Sequence, residues 1–205
     1  MLHRLRGVMT AIFTPVARAL LRIGVTPDAV TIGGTVAVVV IALWTLPTGH
    51  LLLGALLLGG CVLTDSLDGV MARLAGRAGP WGAFLDSTLD RLADAAIFSG
   101  LVLYFVRRGD DELTVVLALA CLVLGSVVPY ARARAEGLGM TASGGIAERA
   151  DRLVVVLVAT AAVGVGASSV VLTVALALLA VASAVTVVQR VAMVHRQSHP
   201  VRDLP

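Results

Sequence analysis

Apolar runs about as long as a bilayer is thick recur along this chain, and nothing constrains its fold more. Hydropathy, and the Gly, Pro and charged residues that interrupt it, divide the sequence into six such runs: 28–46, 51–74, 83–106, 113–135, 147–165 and 169–194. An α-helix needs about 20 mostly apolar residues to cross the hydrocarbon core. Inside lipid only helices and closed barrels satisfy their own backbone groups. A 58% hydrophobic content and a mean hydropathy of +0.96 exclude an ordinary soluble domain. The expectation is one all-α integral membrane domain over 26–205 with six transmembrane helices. Thr26 is placed to cap the first and Pro27 to open it.

Residues 1–25 read differently. Leu2, Leu5, Met9, Ile12, Phe13, Val16 and Leu20 recur at three- and four-residue steps, and Arg18 and Arg22 break what would otherwise be the core of a signal peptide. This predicts an amphipathic juxtamembrane helix with Arg4, Arg18 and Arg22 reaching toward headgroups.

All 16 basic residues are Arg, and they are not spread evenly. An even number of spans puts both termini on one side. That side collects Arg4, Arg6, Arg18, Arg22, Arg73, Arg77, Arg132, Arg134, Arg149, Arg152, Arg190, Arg196 and Arg202. The opposite loops hold Arg107 and Arg108 beside Asp110, Asp111 and Glu112. The positive-inside rule then makes the Arg-rich face cytoplasmic, in a multi-pass protein of the cell membrane. The net charge of +3 suits anionic lipid or a phosphorylated substrate, not nucleic acid. Cys61 and Cys121 lie singly in apolar runs and read as packing residues.

Acidic residues are costly within a span, so their default reading is functional. Asp65 and Asp68 stand three apart near the end of the second run, while Asp86, Asp90 and Asp94 step by four down the third. A short turn, 76–80, joins the two helices, so they are expected to pack antiparallel and pool Asp65, Asp68, Asp86 and Asp90 at one depth. Hard divalent cations are the natural counter-charge for so many carboxylates. Gly69, Ala72 and Gly82 on the facing surfaces leave a gap for a nucleotide, with Arg73 placed to pair with phosphate. The structural alternative is an Asp–Arg network through Arg73 and Arg91 that only ties helices together. A divalent-cation transporter is the competing class, but the residues beyond Asp94 offer little to carry an ion onward.

The segment Asp65-Ser66-Leu67-Asp68-Gly69-Val70-Met71-Ala72-Arg73, then eight residues to Gly82, three to Asp86 and three to Asp90, resembles the complete signature of the CDP-alcohol phosphotransferase family. The resemblance implies that an acceptor hydroxyl attacks the lipid-linked phosphorus of a CDP-alcohol and that CMP leaves. It implies that Asp65, Asp68, Asp86 and Asp90 hold two Mg2+ ions, or Mn2+, with Asp90 also the general base. Asp28, Ala29, Val30, Thr31, Asp65, Asp68, Gly69, Ala72, Arg73, Gly79 and Gly82 are implied to lie against the CDP-lipid, and a homodimer is implied as the assembly.

A second layer concerns the acceptor. Tyr130-Ala131-Arg132-Ala133-Arg134-Ala135-Glu136 and Gly144-Gly145-Ile146-Ala147-Glu148-Arg149-Ala150-Asp151-Arg152-Leu153 resemble the actinobacterial phosphatidylinositol phosphate synthases within that family. Arg132 stands where Lys is typical, and Pro129 where Ser is common. This likeness implies CDP-diacylglycerol and inositol 1-phosphate as substrates, with Arg132, Arg134, Arg149 and Arg190 on the acceptor's phosphate. Phosphatidylglycerophosphate synthase, using glycerol 3-phosphate, is the alternative within the family.

Overall fold

The structure is a computed structural model and describes residues 13–109, 111–146 and 148–199. Among these the chain forms eight helices and no strand: α1 (13–22), α2 (Pro27–Thr45), α3 (Leu51–Thr64), α4 (Leu67–Leu74), α5 (Pro80–Arg108), α6 (Glu112–Glu136), α7 (Arg149–Gly164) and α8 (Val170–Ser198). Their ends follow from local chemistry. The Thr26 side chain accepts from the Ala29 amide at 3.2 Å, with Pro27 at the first helical position. Gly109 ends α5 in the left-handed conformation at φ 73°, which glycine adopts without a Cβ penalty. Asp111 caps α6 by accepting from the Thr114 amide at 2.9 Å.

Among the described residues, four helical segments are long and apolar enough to cross a membrane: Pro27–Thr45, Leu51–Leu74, Glu112–Glu136 and Val170–Ser198. The chain is a multi-pass membrane protein. α5 is long at 29 residues but carries Asp86, Asp90, Arg91 and Asp94, whereas α7 has only 16 residues and starts with Arg149, Asp151 and Arg152. These charges dilute the apolar signal in the two helices that build the site described below. The described part of the N-terminal segment, α1, packs Phe13, Ala17, Leu20 and Leu21 against Leu67, Val70 and Met71 of α4. Val16, expected on that face, is exposed at 48% while Ala17 is fully buried, because the small Ala17 side chain is the one that lets α1 approach α4. Leu2, Arg4, Leu5, Arg6, Met9 and Ile12, with Asp110, Ala147 and Arg202, lie outside the described residues.

The main helix contacts close a ring in the order α2, α5, α6, α8, α7, α3 and back to α2. Large apolar side chains such as Val36, Val40, Trp44, Leu56, Leu178 and Val188 face outward from it, an arrangement suited to hydrocarbon and not to water. Small residues let the rods approach: a Cβ on Gly100 of α5 would stand 2.7 Å from the Ala42 carbonyl of α2. Ile97, Phe98, Leu101 and Phe105, each 1% exposed or less, fill this part of the interior with apolar side chains.

The sequence also predicts direct packing between the second and third apolar runs. In the structure both pack on α2 instead, and a cleft separates them. The second run is itself broken at Asp65-Ser66 into α3 and α4. The Thr64 hydroxyl donates back to the Gly60 and Cys61 carbonyls at 3.1 and 3.0 Å, a pattern that bends helices.

Candidate active site

The break between α3 and α4 separates Asp65 and Asp68, which a straight helix would hold on one face. Asp65 turns across the ring interior, where one oxygen each of Asp65, Asp86 and Asp90 lie within 4.8 Å of one another. Asp68 turns to α2. Its Oδ2 accepts from the Thr31 hydroxyl at 2.5 Å, and its Oδ1 from the Gly69 amide at 2.5 Å. Four-residue steps on α5 carry Asp86, Asp90 and Asp94 inward: side-chain exposure falls from 16% at Asp90 to 8% at Asp94.

The cation among these acids comes from α7. Arg149 Nη1 lies 2.7 Å from Asp65 Oδ2 and 2.9 Å from Asp90 Oδ1, and its Nε donates to Asp94 Oδ1 at 3.0 Å. Arg152, 2% exposed, contacts Asp94 Oδ2 at 3.3 Å and the Gly125 carbonyl of α6 at 3.4 Å. Arg91 is more distant, 3.8 Å from Asp90. An Asp–Arg network therefore exists, but Arg149 and Arg152 carry it instead of the expected Arg73. Burying charge is tolerated when it is paired and hydrogen-bonded in this way, and removing one partner costs about 3–5 kcal/mol.

Two cavities meet at the carboxylates. The larger, about 490 Å³, is lined by Asp28, Thr31, Asp68, Gly69, Ala72, Arg73, Gly79, Gly82 and Asp86, together with Thr26, Pro27, Arg77, Ala78, Trp81 and Ala83. It is open because its walls are small: a Cβ on Gly79 or Gly82 would meet nothing within 4 Å. Trp81 Nε1 donates to Asp28 Oδ2 at 2.9 Å and joins the starts of α5 and α2 across the cleft. The smaller cavity, about 90 Å³, lies on the other side of Asp68 and Thr31, which line both, and includes Val30, Asp65, Asp90 and Arg149. Eight of the residues expected to contact a CDP-lipid thus line one cleft. Val30 lines the smaller cavity, and Ala29 spends its amide on the Thr26 cap. Trp81 and Arg77 were missed, although a Trp beside Pro80 at a helix start was a signal that an aromatic closes the turn.

A set of carboxylate oxygens this close is the donor chemistry that hard divalent cations prefer. Asp65, Asp86 and Asp90 form that set in the structure, with Asp68 at its edge on the cleft wall.

The four arginines expected at the acceptor take different positions. Arg149 lies within the carboxylate cluster. Arg190, 6% exposed, donates to the carbonyls of Gly144, at 3.1 Å, and Val128. Arg132 pairs with Glu136 at 2.8 Å and, like Arg134, is exposed. The loop after α6 is strapped to α8 through Gln197, which accepts from the Thr141 amide at 2.9 Å, and through Thr186, which accepts from the Ile146 amide at 3.2 Å. Arg149 follows three residues after Ile146 in the chain.

Comparison with known proteins agrees with this geometry. A family model described as CDP-alcohol phosphatidyltransferase matches residues 24–145. The chain is similar to the phosphatidylinositol phosphate synthase of Cutibacterium acnes, at 48% identity over 96% of this chain and 98% of that protein. It is similar in structure to the Mycobacterium tuberculosis phosphatidylinositol phosphate synthase with CDP-DAG bound, with a TM-score of 0.87 and 44% identity over 90% of this chain and 94% of that one. The same mycobacterial enzyme in complex with manganese and citrate gives a TM-score of 0.86 and 44% identity over 89% and 88% of the two chains.

Proposed function

The chain belongs to the CDP-alcohol phosphatidyltransferase family, and from that premise we propose that it transfers the phosphatidyl group of CDP-diacylglycerol to a hydroxyl of inositol 1-phosphate. CMP leaves and a phosphatidylinositol phosphate remains. The observation that carries this reading is the position of Asp65, Asp86 and Asp90 between a nucleotide-sized cleft and a cavity lined by Arg149.

The division of labour follows from the two sides. Arg73 and Arg77 line the cleft and offer guanidinium groups to the diphosphate, while Gly69, Ala72, Gly79 and Gly82 give it room. Thr31 holds Asp68 on the wall shared by both cavities. Asp65, Asp68, Asp86 and Asp90 are proposed to hold two Mg2+ or Mn2+ ions. When bound, such ions supply positive charge that stabilises the pentavalent phosphorus and the departing CMP. Asp90 takes the acceptor's proton as its oxygen bonds to the lipid-linked phosphorus and the bond from that phosphorus to CMP breaks. Arg149 draws the acceptor's own phosphate to the Asp90 side, and Arg190 of α8 with Arg132 and Arg134 of α6 are proposed as further contacts for that phosphate.

The proposal extends to six spans, with α5 and α7 crossing among the four apolar segments, and to a homodimer in the cell membrane whose termini and site face the cytoplasm. The Arg-rich ends of the helices support that orientation. The deciding experiment supplies membranes containing the protein with CDP-diacylglycerol, Mg2+ and either inositol 1-phosphate or glycerol 3-phosphate. Phosphatidylinositol phosphate with release of CMP is the expected product. Turnover of glycerol 3-phosphate alone would discard the inositol reading.

A further inference from the structure

Asp94 stands four residues beyond Asp90, outside the aspartate signature, and is only 6% exposed. Its two oxygens serve different partners on α7. Oδ1 accepts from Nε of Arg149 at 3.0 Å, and Oδ2 contacts Nη2 of Arg152 at 3.3 Å. Arg152 is fixed in turn by the Gly125 carbonyl at 3.4 Å, so α5, α6 and α7 meet at this one carboxylate. A guanidinium is planar and rigid, and a bond at Nε therefore decides where its two amino groups point. For Arg149 it sends Nη1 to Asp65 and Asp90. Stability alone gives little reason for the arrangement, since well-packed apolar residues commonly replace a buried ion pair at no cost.

We propose that Asp94 is a positioning residue for the acceptor step: braced by Arg152, it grips Nε of Arg149 and sets the plane in which that guanidinium meets an anionic acceptor beside Asp90. The inference rests on the acceptor reading above. Asp94 touches neither substrate nor the reacting phosphorus, and it acts only through Arg149. Its loss should weaken the use of the acceptor and leave the CDP-lipid side unchanged.

The test is a double-mutant cycle on purified protein, with KM measured separately for inositol 1-phosphate and for CDP-diacylglycerol. Asp94→Asn is expected to raise the acceptor KM by roughly tenfold and to change the CDP-lipid KM by less than about twofold. In an Arg149→Ala background the same change is expected to add nothing, because the group that Asp94 positions is gone. Additive effects in that background, or equal rises in both KM values, would overturn the proposal. Should Asp94→Asn not yield folded protein, Arg152→Lys makes the same test, since a shorter cation loosens Asp94 and should raise only the acceptor KM, again only while Arg149 is present. If the unaltered protein turns over glycerol 3-phosphate and not inositol 1-phosphate, the inositol reading falls. The cycle run with glycerol 3-phosphate then still decides the role of Asp94.

Discussion

Glycine does opposite things in the two halves of the ring. Around the middle and far end of α5, Gly100 and Gly54 are places where helices touch: an added Cβ would stand 2.7 Å from the Ala42 carbonyl at the first and 2.9 Å from Leu46 at the second. At the aspartate end, Gly79 and Gly82 have nothing within 4 Å of that position, and Gly69 has only the Arg73 guanidinium at 3.4 Å. One set removes side chains so that helices can close on each other, and the other removes them so that a cleft stays open. The carboxylates divide in the same way. Asp90 lines the smaller site cavity and pairs with Arg149, whereas Asp111 at the far end is spent on capping α6 and on the Thr114 hydroxyl at 2.5 Å. Packing at one end and chemistry at the other should therefore respond separately to substitution.

The largest effect is expected at Asp90. Asp90→Asn should lower kcat by about 10²–10⁴-fold, the usual worth of a general base, while the thermal midpoint in detergent changes little because Arg149 keeps Asp65 and Asp94 as partners. A loss of folded protein in place of turnover would place Asp90 with the structural carboxylates. Chelation of divalent metal should have a similar effect on turnover, reversed by adding Mg2+ or Mn2+. Readdition without recovery would count against the carboxylate cluster as the metal site.

The glycines come next. Gly100→Ala should destabilise by about 1–3 kcal/mol through overpacking against Ala42 and Leu46, measured as a lowered midpoint with the CDP-lipid KM unchanged. Gly82→Leu should do the reverse, raising that KM several-fold by filling the cleft without lowering the midpoint. If both variants lost stability equally, the contrast between the two ends would fail.

Asp111→Ala is the smallest, about 1 kcal/mol, as expected for a lost helix cap. Hydrogen bonds from Thr114 hold the Asp111 carboxyl below its ordinary range. Its contribution is therefore fully present above the unfolded carboxylate value and lost as pH falls through the lowered folded one. The gap in midpoint between the unaltered protein and Asp111→Ala should accordingly narrow on acidification. A gap that widened toward low pH would mean that the cap does not act through its ionised form.

Much of the site could be read from the chain because its chemistry is written in short fixed gaps. The Asp65 to Asp90 spacing marked the acids, three of which, Asp65, Asp86 and Asp90, the structure gathers, and the Gly and Ala positions marked the cleft that the structure lines with them. The arginines were harder. Arg132, Arg134, Arg149 and Arg190 look alike as basic residues near helix ends, yet one joins the carboxylates, one lies under the α6–α7 loop, and two face outward. Asp94 and Arg152 are 58 residues apart in sequence and could be paired only once α5 and α7 stood on opposite sides of the same interior.

The chain itself determined its solvent, its helical class and its reaction family, because hydrophobic length and motif spacing are local properties. Tertiary structure decided which side chains share a cavity. It bent the second apolar run at Asp65-Ser66, parted Asp65 from Asp68, and held α4 away from α5 by packing both on α2. Periodicity fixes the face a residue occupies on its own helix, but the partner of that face depends on how the whole ring closes.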